Sequence, residues 1–462
     1  MKVKGEASPP PEPEAASEKA TWAFVAGLAL VGFALRAVHL FEVSPHVDEY
    51  STIWAAQQIT RRGLPLLPSG FIYLQGVLFS YLEVPFLYLF GFSEPVARFP
   101  SLILSAASIP LAYLLGKRIF SPYVGFLTAA LLALSPKAII WGGRARMYAT
   151  QGFLVLLALY CLDKGAADGD GRRWRYLFAF SFIGALLSQT VTVLLFPALV
   201  LGLLAWKGWR WFLRPSVALP LGLAGLGTVG AVGLNAIGGP MSDAARRPFL
   251  DPSLYWGYKS SLSFRWFFWS PPRLLLTALF ILGFIYLSRE FLRAWSEGWA
   301  ERAVAFEAQN ARLTFLYALF SLTMFQMIFL VGETWRRHRY ITMLLPIYFL
   351  IAAAVATRGL TALARRAPAE ARGWIGKGGR ALIAVAAVAL FLPGAWAAAT
   401  QSQPGYDRTF RYLRDHWRPG DAVSTPLPAI SGVYLGGCDY YALQQGYEAY
   451  LTWRDGLWLD RW

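Results

Sequence analysis

The sequence predicts an all-α polytopic membrane protein with about eleven crossing helices. Two observations carry this. Of its 462 residues, 56% are apolar and only 15% charged, a balance that a soluble globular chain does not carry. Apolar runs of about 17 to 25 residues, long enough to cross a hydrocarbon core of roughly 30 Å, also recur along most of the length.

In chain order, residues 1–20 are rich in Pro, Glu and Ala and hold too little apolar content to fold. They are expected to be a disordered cytoplasmic tail, and they have the pattern of neither a signal peptide nor a transit peptide. The membrane domain is expected over 21–400, with spans at 21–40, 96–116, 123–140, 149–162, 176–188, 193–206, 216–237, 274–287, 313–331, 341–356 and 381–399. The apolar stretch 71–91 is read as a helix lying in the outer interface within a first external loop, 41–95. Counting it as a span would put the later basic loops on alternating sides.

With that assignment the basic short loops share one face: Lys117-Arg118, Lys164 with Arg172, Arg173 and Arg175, Lys207 with Arg210 and Arg214, and the stretches 289–312 and 358–380. By the positive-inside rule this face is cytoplasmic. The net charge of +16 is then an orientation signal, and no nucleic-acid partner is needed to explain it. The chain is therefore expected in a cell membrane, the bacterial plasma membrane, as a multi-pass protein with its site facing outward. Cys161 and Cys438 fall on opposite sides of the membrane, so no disulfide joins them, and no zinc spacing exists.

After the last span, 401–462 reads as external and soluble, with a helix pattern over 406–417, a turn at Pro419-Gly420-Asp421 and a β-like run from Ala422. These features predict a small α/β domain, short enough that the chain could stop inside it.

The external loops place charges sparingly but in particular positions. The first holds Asp48-Glu49 with Arg61 and Arg62, and the second holds Arg144-Ala145-Arg146-Met147-Tyr148. The run 333–340 contains Arg336, Arg337, His338, Arg339 and Tyr340, a polar turn spans 189–192, and the long fourth loop adds Arg246, Arg247, Lys259 and Arg265. Carboxylates on one loop with arginines from two others suit a reaction on a lipid-anchored anion. Arginine forks bind and stabilise a phosphate leaving group, while a carboxylate takes the proton from the incoming nucleophile. Transfer of a sugar from a polyprenyl phosphate has these requirements, with an oxocarbenium-like carbon and a departing anion.

Each residue also has a plainer role. Asp48 could be the N-cap of a helix over 49–62, with Glu49 in its first turn. Arg144 and Arg146 could snorkel to lipid phosphates, His338 could be an interface residue, and Tyr148 and Tyr340 could belong to an aromatic belt. Arg36, late in the first span, is expected to snorkel or pair.

An acidic pair after the first span, Ala145-Arg146-Met147-Tyr148 in the second external loop, and Arg339-Tyr340 followed by Leu344-Leu345-Pro346 together resemble the C-type glycosyltransferase superfamily. The resemblance is to the branch of protein O-mannosyltransferases and lipid A aminoarabinose transferases. It is most specific over 94–162, which includes Arg98-Phe99-Pro100 and Gly116-Lys117-Arg118. It implies a glycosyltransferase in which Asp48 activates the acceptor and Glu49 supports it or binds acceptor. Arg146 and Tyr148 would sit at the substrate cavity, and Arg339 and Tyr340 near the lipid phosphate. Arg144 and His338 join them as candidate phosphate ligands. Two departures stand out: Arg144 occupies a place where many relatives have glutamate, and Pro68-Ser69-Gly70 replaces a His-Pro-Pro. The first removes an acid that could share a metal with Asp48, so no cofactor or catalytic metal is expected.

The resulting expectation is transfer of a sugar from a polyprenyl-phosphate donor to a lipid, protein or glycan acceptor at the outer face, with inversion. The alternatives are a flippase or transporter of lipid-linked sugars, against which the absence of an internal repeat speaks, and a polymerase or ligase using a lipid-diphosphate donor.

Overall fold

The computed structural model describes residues 14–68, 70–167, 171–237, 257–296, 299–437, 439–441 and 457–458. Of the disordered tail expected over 1–20, residues 1–13 lie outside the described residues, as do Arg246, Arg247, Ser69 and Cys438, while 14–20 are already helical and correct that expectation. The helices in order are α1 (Glu14–Glu42), α2 (Val47–Arg62), α3 (Val77–Phe90), α4 (Glu94–Ile119), α5 (Pro122–Ala133), α6 (Pro136–Gly142), α7 (Tyr148–Ala167), α8 (Arg172–Ser188), α9 (Leu195–Lys207), α10 (Trp209–Phe212) and α11 (Pro215–Ile237). After them come α12 (Tyr258–Phe268), α13 (Pro271–Ser296), α14 (Trp299–Phe325), α15 (Leu345–Arg366), α16 (Ala369–Ala399), α17 (Tyr406–Asp415) and α18 (Pro428–Leu435).

Among the described residues, 8 helices are long and apolar enough to cross a membrane, or 9 if α5 and α6, bent by 61° at their junction, form one broken span. The difference from about eleven is α7 and α8, which coincide with the expected spans at 149–162 and 176–188. Their sequences are too polar at one end to stand alone in lipid: α7 closes on Asp163-Lys164 and α8 opens on Arg172-Arg173. The pair packs instead against its neighbours, and buried Asp163 receives Arg118 at 2.8 Å and Arg312 at 3.1 Å. Helix α3 has 14 residues, about 21 Å of helix, and so falls short of a ~30 Å core, as its interfacial reading requires.

Two local devices set the bundle. Pro136 has no N–H to offer Leu132, and the α5–α6 break also frees the carbonyl of Ala133. The Arg36 guanidinium takes both, donating to Leu132 O at 3.0 Å and Ala133 O at 3.1 Å, and also to Gly32 O and Ser105 Oγ, each at 2.7 Å. Arg36 thus pairs with backbone, as a buried charge in a span must. Helices α4 and α5 meet at two glycines, since a Cβ on Gly116 would lie 2.6 Å from Gly125 Cα. The glycine of Gly116-Lys117-Arg118 is therefore a packing residue.

The polar turn at 189–192 is internal: Thr192 Oγ1 receives the Gln151 side chain at 3.0 Å and donates to Gln189 O at 2.7 Å. Beyond α16 the described residues include α17, α18 and three strands of two residues each, β1 (Ser424–Thr425), β2 (Tyr440–Tyr441) and β3 (Leu457–Trp458). The strands pair in parallel, Ser424 with Tyr440 and Tyr440 with Leu457. Among the described residues, α17 and α18 do not bury a core of their own. Phe410, Ala429, Ile430, Val433 and Tyr434 share one apolar cluster with Tyr50, Ile53, Trp54 and Tyr148. Gly432 sits against the Trp54 ring, where an added Cβ would come within 2.3 Å.

Candidate active site

The site is built on the first turn of α2. His46, not Asp48, is the N-cap: its Nδ1 accepts the Asp48 N–H at 3.2 Å, and its own N–H donates to Glu49 Oε1 at 2.7 Å. Gly63, at φ +76°, closes the other end with its N–H on Ile59 O at 2.7 Å. The capping alternative for Asp48 is thereby overturned, because the helix starts two residues earlier than a cap at Asp48 requires and leaves that carboxylate free. Burial holds His46 below its ordinary value. An accepting, neutral Nδ1 means that its 3.8 Å approach to Asp48 is not an ion pair at neutral pH.

Glu49 and Asp48 are adjacent in sequence but opposite in environment. Glu49 has no exposed surface. Its Oε2 accepts Arg98 Nε at 2.8 Å and the Ala145 N–H at 2.8 Å, while Oε1 accepts Arg98 Nη2 at 3.0 Å besides His46. Arg98, 1% exposed, turns its remaining nitrogen to Leu40 O at 2.8 Å and Val43 O at 2.7 Å. Burial pushes the Glu49 carboxyl up, but the Arg98 fork, Arg144 and the Ala145 N–H outweigh it and hold it below the ordinary range. The expectation that Glu49 binds acceptor is therefore corrected. It is a latch that ties α1, α2, α4 and the second loop together.

Asp48 keeps about a third of its side chain exposed. Its Oδ2 forms a close ion pair with Arg339 Nη1, and its backbone carbonyl accepts Arg146 Nη1 at 2.7 Å. Burial alone would raise this carboxyl, yet Arg146 and Arg339 bring it net below its ordinary value.

Arg146 lies beneath, 5% exposed, and its Nη1 also reaches Thr52 Oγ1 at 2.9 Å and Tyr73 OH at 3.2 Å. It stands over the Tyr148 ring at 5.9 Å, and Tyr148 neighbours Tyr340 at 6.3 Å between ring centroids. Arg339 in turn lies over Tyr340 at 5.5 Å. Arg144, 7% exposed, rests on Trp141 at 5.1 Å and has no hydrogen-bond or carboxylate partner among the described residues. Six of the expected residues, Asp48, Glu49, Arg146, Tyr148, Arg339 and Tyr340, thus form one contiguous group, with Arg144 at its edge.

His338 faces a neighbouring group that sequence reasoning missed. Its ring packs on Trp266 at 5.6 Å, and the same indole carries Lys137 at 5.8 Å and Arg273 at 5.1 Å. Lys137 has no carboxylate partner among the described residues, and Trp266 Nε1 is buried without a hydrogen-bond partner. Tyr73, Thr52 and Arg98 were also missed as site residues. A lysine directly after Pro136 in an apolar span was the available signal for Lys137, since such a charge is costly unless it serves a ligand.

Other external charges stand apart. Arg336 is buried and turned inward toward Val331 O and Ser260. Lys259 pairs with Glu333 at 3.4 Å, and Arg61 and Arg62 sit in the last turn of α2, where cations complement the helix dipole. A further carboxyl, Glu83 of α3, is wholly buried and neither oxygen has a partner. Burial pushes it well above its ordinary value, which favours its neutral form.

An accessible carboxylate paired with one arginine and held through its backbone carbonyl by a second, with further cations that no carboxylate neutralises among the described residues, can take a proton and hold an anion in the same space. Residues 75–232 match the sequence family described as dolichyl-phosphate-mannose-protein mannosyltransferase. No curated protein matches the chain in sequence. Among solved structures, ArnT from Cupriavidus metallidurans bound to undecaprenyl phosphate is similar with a TM-score of 0.62 at 16% identity, over 94% of this chain and 88% of that one. Its apo state is similar with a TM-score of 0.63 at 16% identity, over 96% and 90%. The oligosaccharyltransferase AglB from Archaeoglobus fulgidus, in complex with an inhibitory peptide and a dolichol-phosphate, is similar with a TM-score of 0.56 at 13% identity, over 88% of this chain and 59% of that one. The sequence match over 75–232 and the fold shared with these solved structures support a membrane glycosyltransferase of the C-type superfamily.

Proposed function

We propose that the enzyme moves a sugar from a polyprenyl-phosphate donor to a hydroxyl or other nucleophile of a lipid, protein or glycan acceptor, at the outer face of a bacterial plasma membrane and with inversion. One observation carries this reading. Asp48 is the only accessible carboxylate among the described residues of a group that holds Arg144, Arg146, Arg339, Lys137 and Arg273. Such an excess of partly desolvated cations requires an anionic ligand. The polyprenyl and dolichol phosphates in the two solved relatives have that chemistry.

In the reaction, the acceptor oxygen attacks the anomeric carbon while the bond from that carbon to the phosphate oxygen breaks. The bonding pair leaves with the phosphate, and the acceptor proton passes to Asp48. Arg339, with Arg144 and His338, receives the phosphate charge as it grows. Arg146 acts from below, fixing the Asp48 backbone, Thr52 and Tyr73 in register. The Asp48–Arg339 pair couples the two jobs. As Arg339 turns to the phosphate it releases Asp48, whose carboxyl then rises toward its ordinary value and becomes a better base. No step is routed through a metal.

The test is incubation of purified protein in detergent with a panel of radiolabelled polyprenyl-phosphate sugars and membrane extract. Release of polyprenyl monophosphate is expected. Release of diphosphate only, from a diphosphate donor, would assign the polymerase or ligase reaction instead, and no release from any donor by folded protein would leave the transporter reading in its place.

A further inference from the structure

A cavity of about 660 Å³ opens at the end of the bundle opposite Asp48. It is lined by Phe120 and Ser121 after α4, Tyr286 of α13, Asn310 of α14, and Arg358 and Arg365 of α15. Helix α4 gives the separation: Phe120 follows Arg98, the partner of Glu49, by 22 residues, about 33 Å of helix. The two arginines are seven residues apart and therefore share a face of α15 two turns from each other. Arg358 is oriented, with Nη1 on Asn310 Oδ1 at 2.8 Å and its guanidinium over Phe120 at 5.9 Å.

Beside it runs an apolar groove of about 440 Å³ between α5, α13, α15 and α16, whose lining includes Leu131, Leu276, Leu279, Ile383 and Phe391. Val355 and Gly359 line both spaces. Gly359 leaves the passage open, since a Cβ there would meet nothing within 4 Å. Along α15 the groove extends from Ala352 to Leu363, about 17 Å, or half of a ~30 Å hydrocarbon core.

We propose that cavity and groove together bind one anionic glycerophospholipid of the membrane, in the leaflet opposite the active site. Its phosphate lies on Arg358 and Arg365, and an acyl chain crosses at Gly359 into the groove. Charge complementarity and the depth of one leaflet select this occupant. A free anion would leave the groove empty, and a zwitterionic lipid would bring its own cation against two arginines.

The test is native mass spectrometry of the detergent-purified protein after exchange with equimolar phosphatidylglycerol and phosphatidylcholine. One retained phosphatidylglycerol is expected, favoured at least about tenfold, with the arginine double variant Arg358→Gln, Arg365→Gln losing about tenfold in retention. Gly359→Leu, which fills open space, should lose retention with both arginines in place. Equal retention of the two lipids, retention unchanged in either variant, or displacement by millimolar inorganic phosphate overturns the proposal. The readout is a lipid count, so it stands or falls apart from the transferase reading.

Discussion

Glu49→Gln separates the two members of the acidic pair most sharply, because it changes one atom in a site whose every acceptor position is used. Oε1 takes His46 N–H and Arg98 Nη2, and Oε2 takes Arg98 Nε and Ala145 N–H. A glutamine offers one oxygen and one NH₂, so in either orientation two buried donors face another donor. At about 1–3 kcal/mol for each unsatisfied donor, the loss is roughly 2–6 kcal/mol, in line with about 3–5 kcal/mol for breaking a buried ion pair. Arg98, 1% exposed, cannot recover the loss by reaching water. The assay is unfolding of the detergent-solubilised protein by titration with a denaturing detergent, followed by circular dichroism. A loss above about 2 kcal/mol is expected, together with weakened donor binding, since Ala145 sits between Arg144 and Arg146. A change within about 0.5 kcal/mol, the range of ordinary surface substitutions, would refute the latch.

Other outcomes follow from the same geometry. Glu83→Gln, at an unpartnered carboxyl whose burial favours the neutral form, should alter stability by less than about 1 kcal/mol in the same titration; a loss as large as that of Glu49→Gln would show that Glu83 is ionised. Arg339→Ala should weaken donor binding and lower turnover together, and unchanged kinetics would remove Arg339 from the site. For pH, the depressed Asp48 carboxyl stays ionised above its ordinary value of 3.8, and its pairing with Arg339 is lost only as pH falls through the lower folded value. The acid limb of kcat/KM should therefore lie below 3.8 and move upward in Arg339→Gln, and a limb that does not move would deny the coupling. Arg36→Met should destabilise by about 2 kcal/mol or more, by leaving the Leu132 and Ala133 carbonyls unpaired; denaturant titration at wild-type stability would contradict that role.

Much of the bundle was legible because a bilayer admits few solutions: apolar runs of sufficient length must be helices, and their basic ends mark one face. The α7–α8 pair shows the limit of that rule, since Asp163 near the end of α7 is satisfied by Arg118 and Arg312 from other helices. In the site, sequence order brought out the loops of Asp48, Arg146 and Arg339 but not which carboxylate is buried. That depends on Arg98, an apolar-span arginine 49 residues away from Glu49. The position of the cap was also hidden, because histidine is an uncommon N-cap and Asp48 two residues later is a common one. Lys137, Trp266 and Arg273 come from three separate segments and meet only through tertiary packing. Likewise, nothing local in the tail says that Tyr434 and Ile430 pack on α2 instead of on each other.

The central claim is that Asp48 takes the proton while the surrounding cations hold the donor phosphate. Asp48→Asn tests it most directly, with donor binding measured by equilibrium titration of a polyprenyl-phosphate sugar and transfer measured by release of polyprenyl phosphate from the same preparation. The account predicts binding retained within a few-fold and release abolished. Wild-type release from Asp48→Asn, or loss of donor binding with the residual rate unchanged, would contradict it.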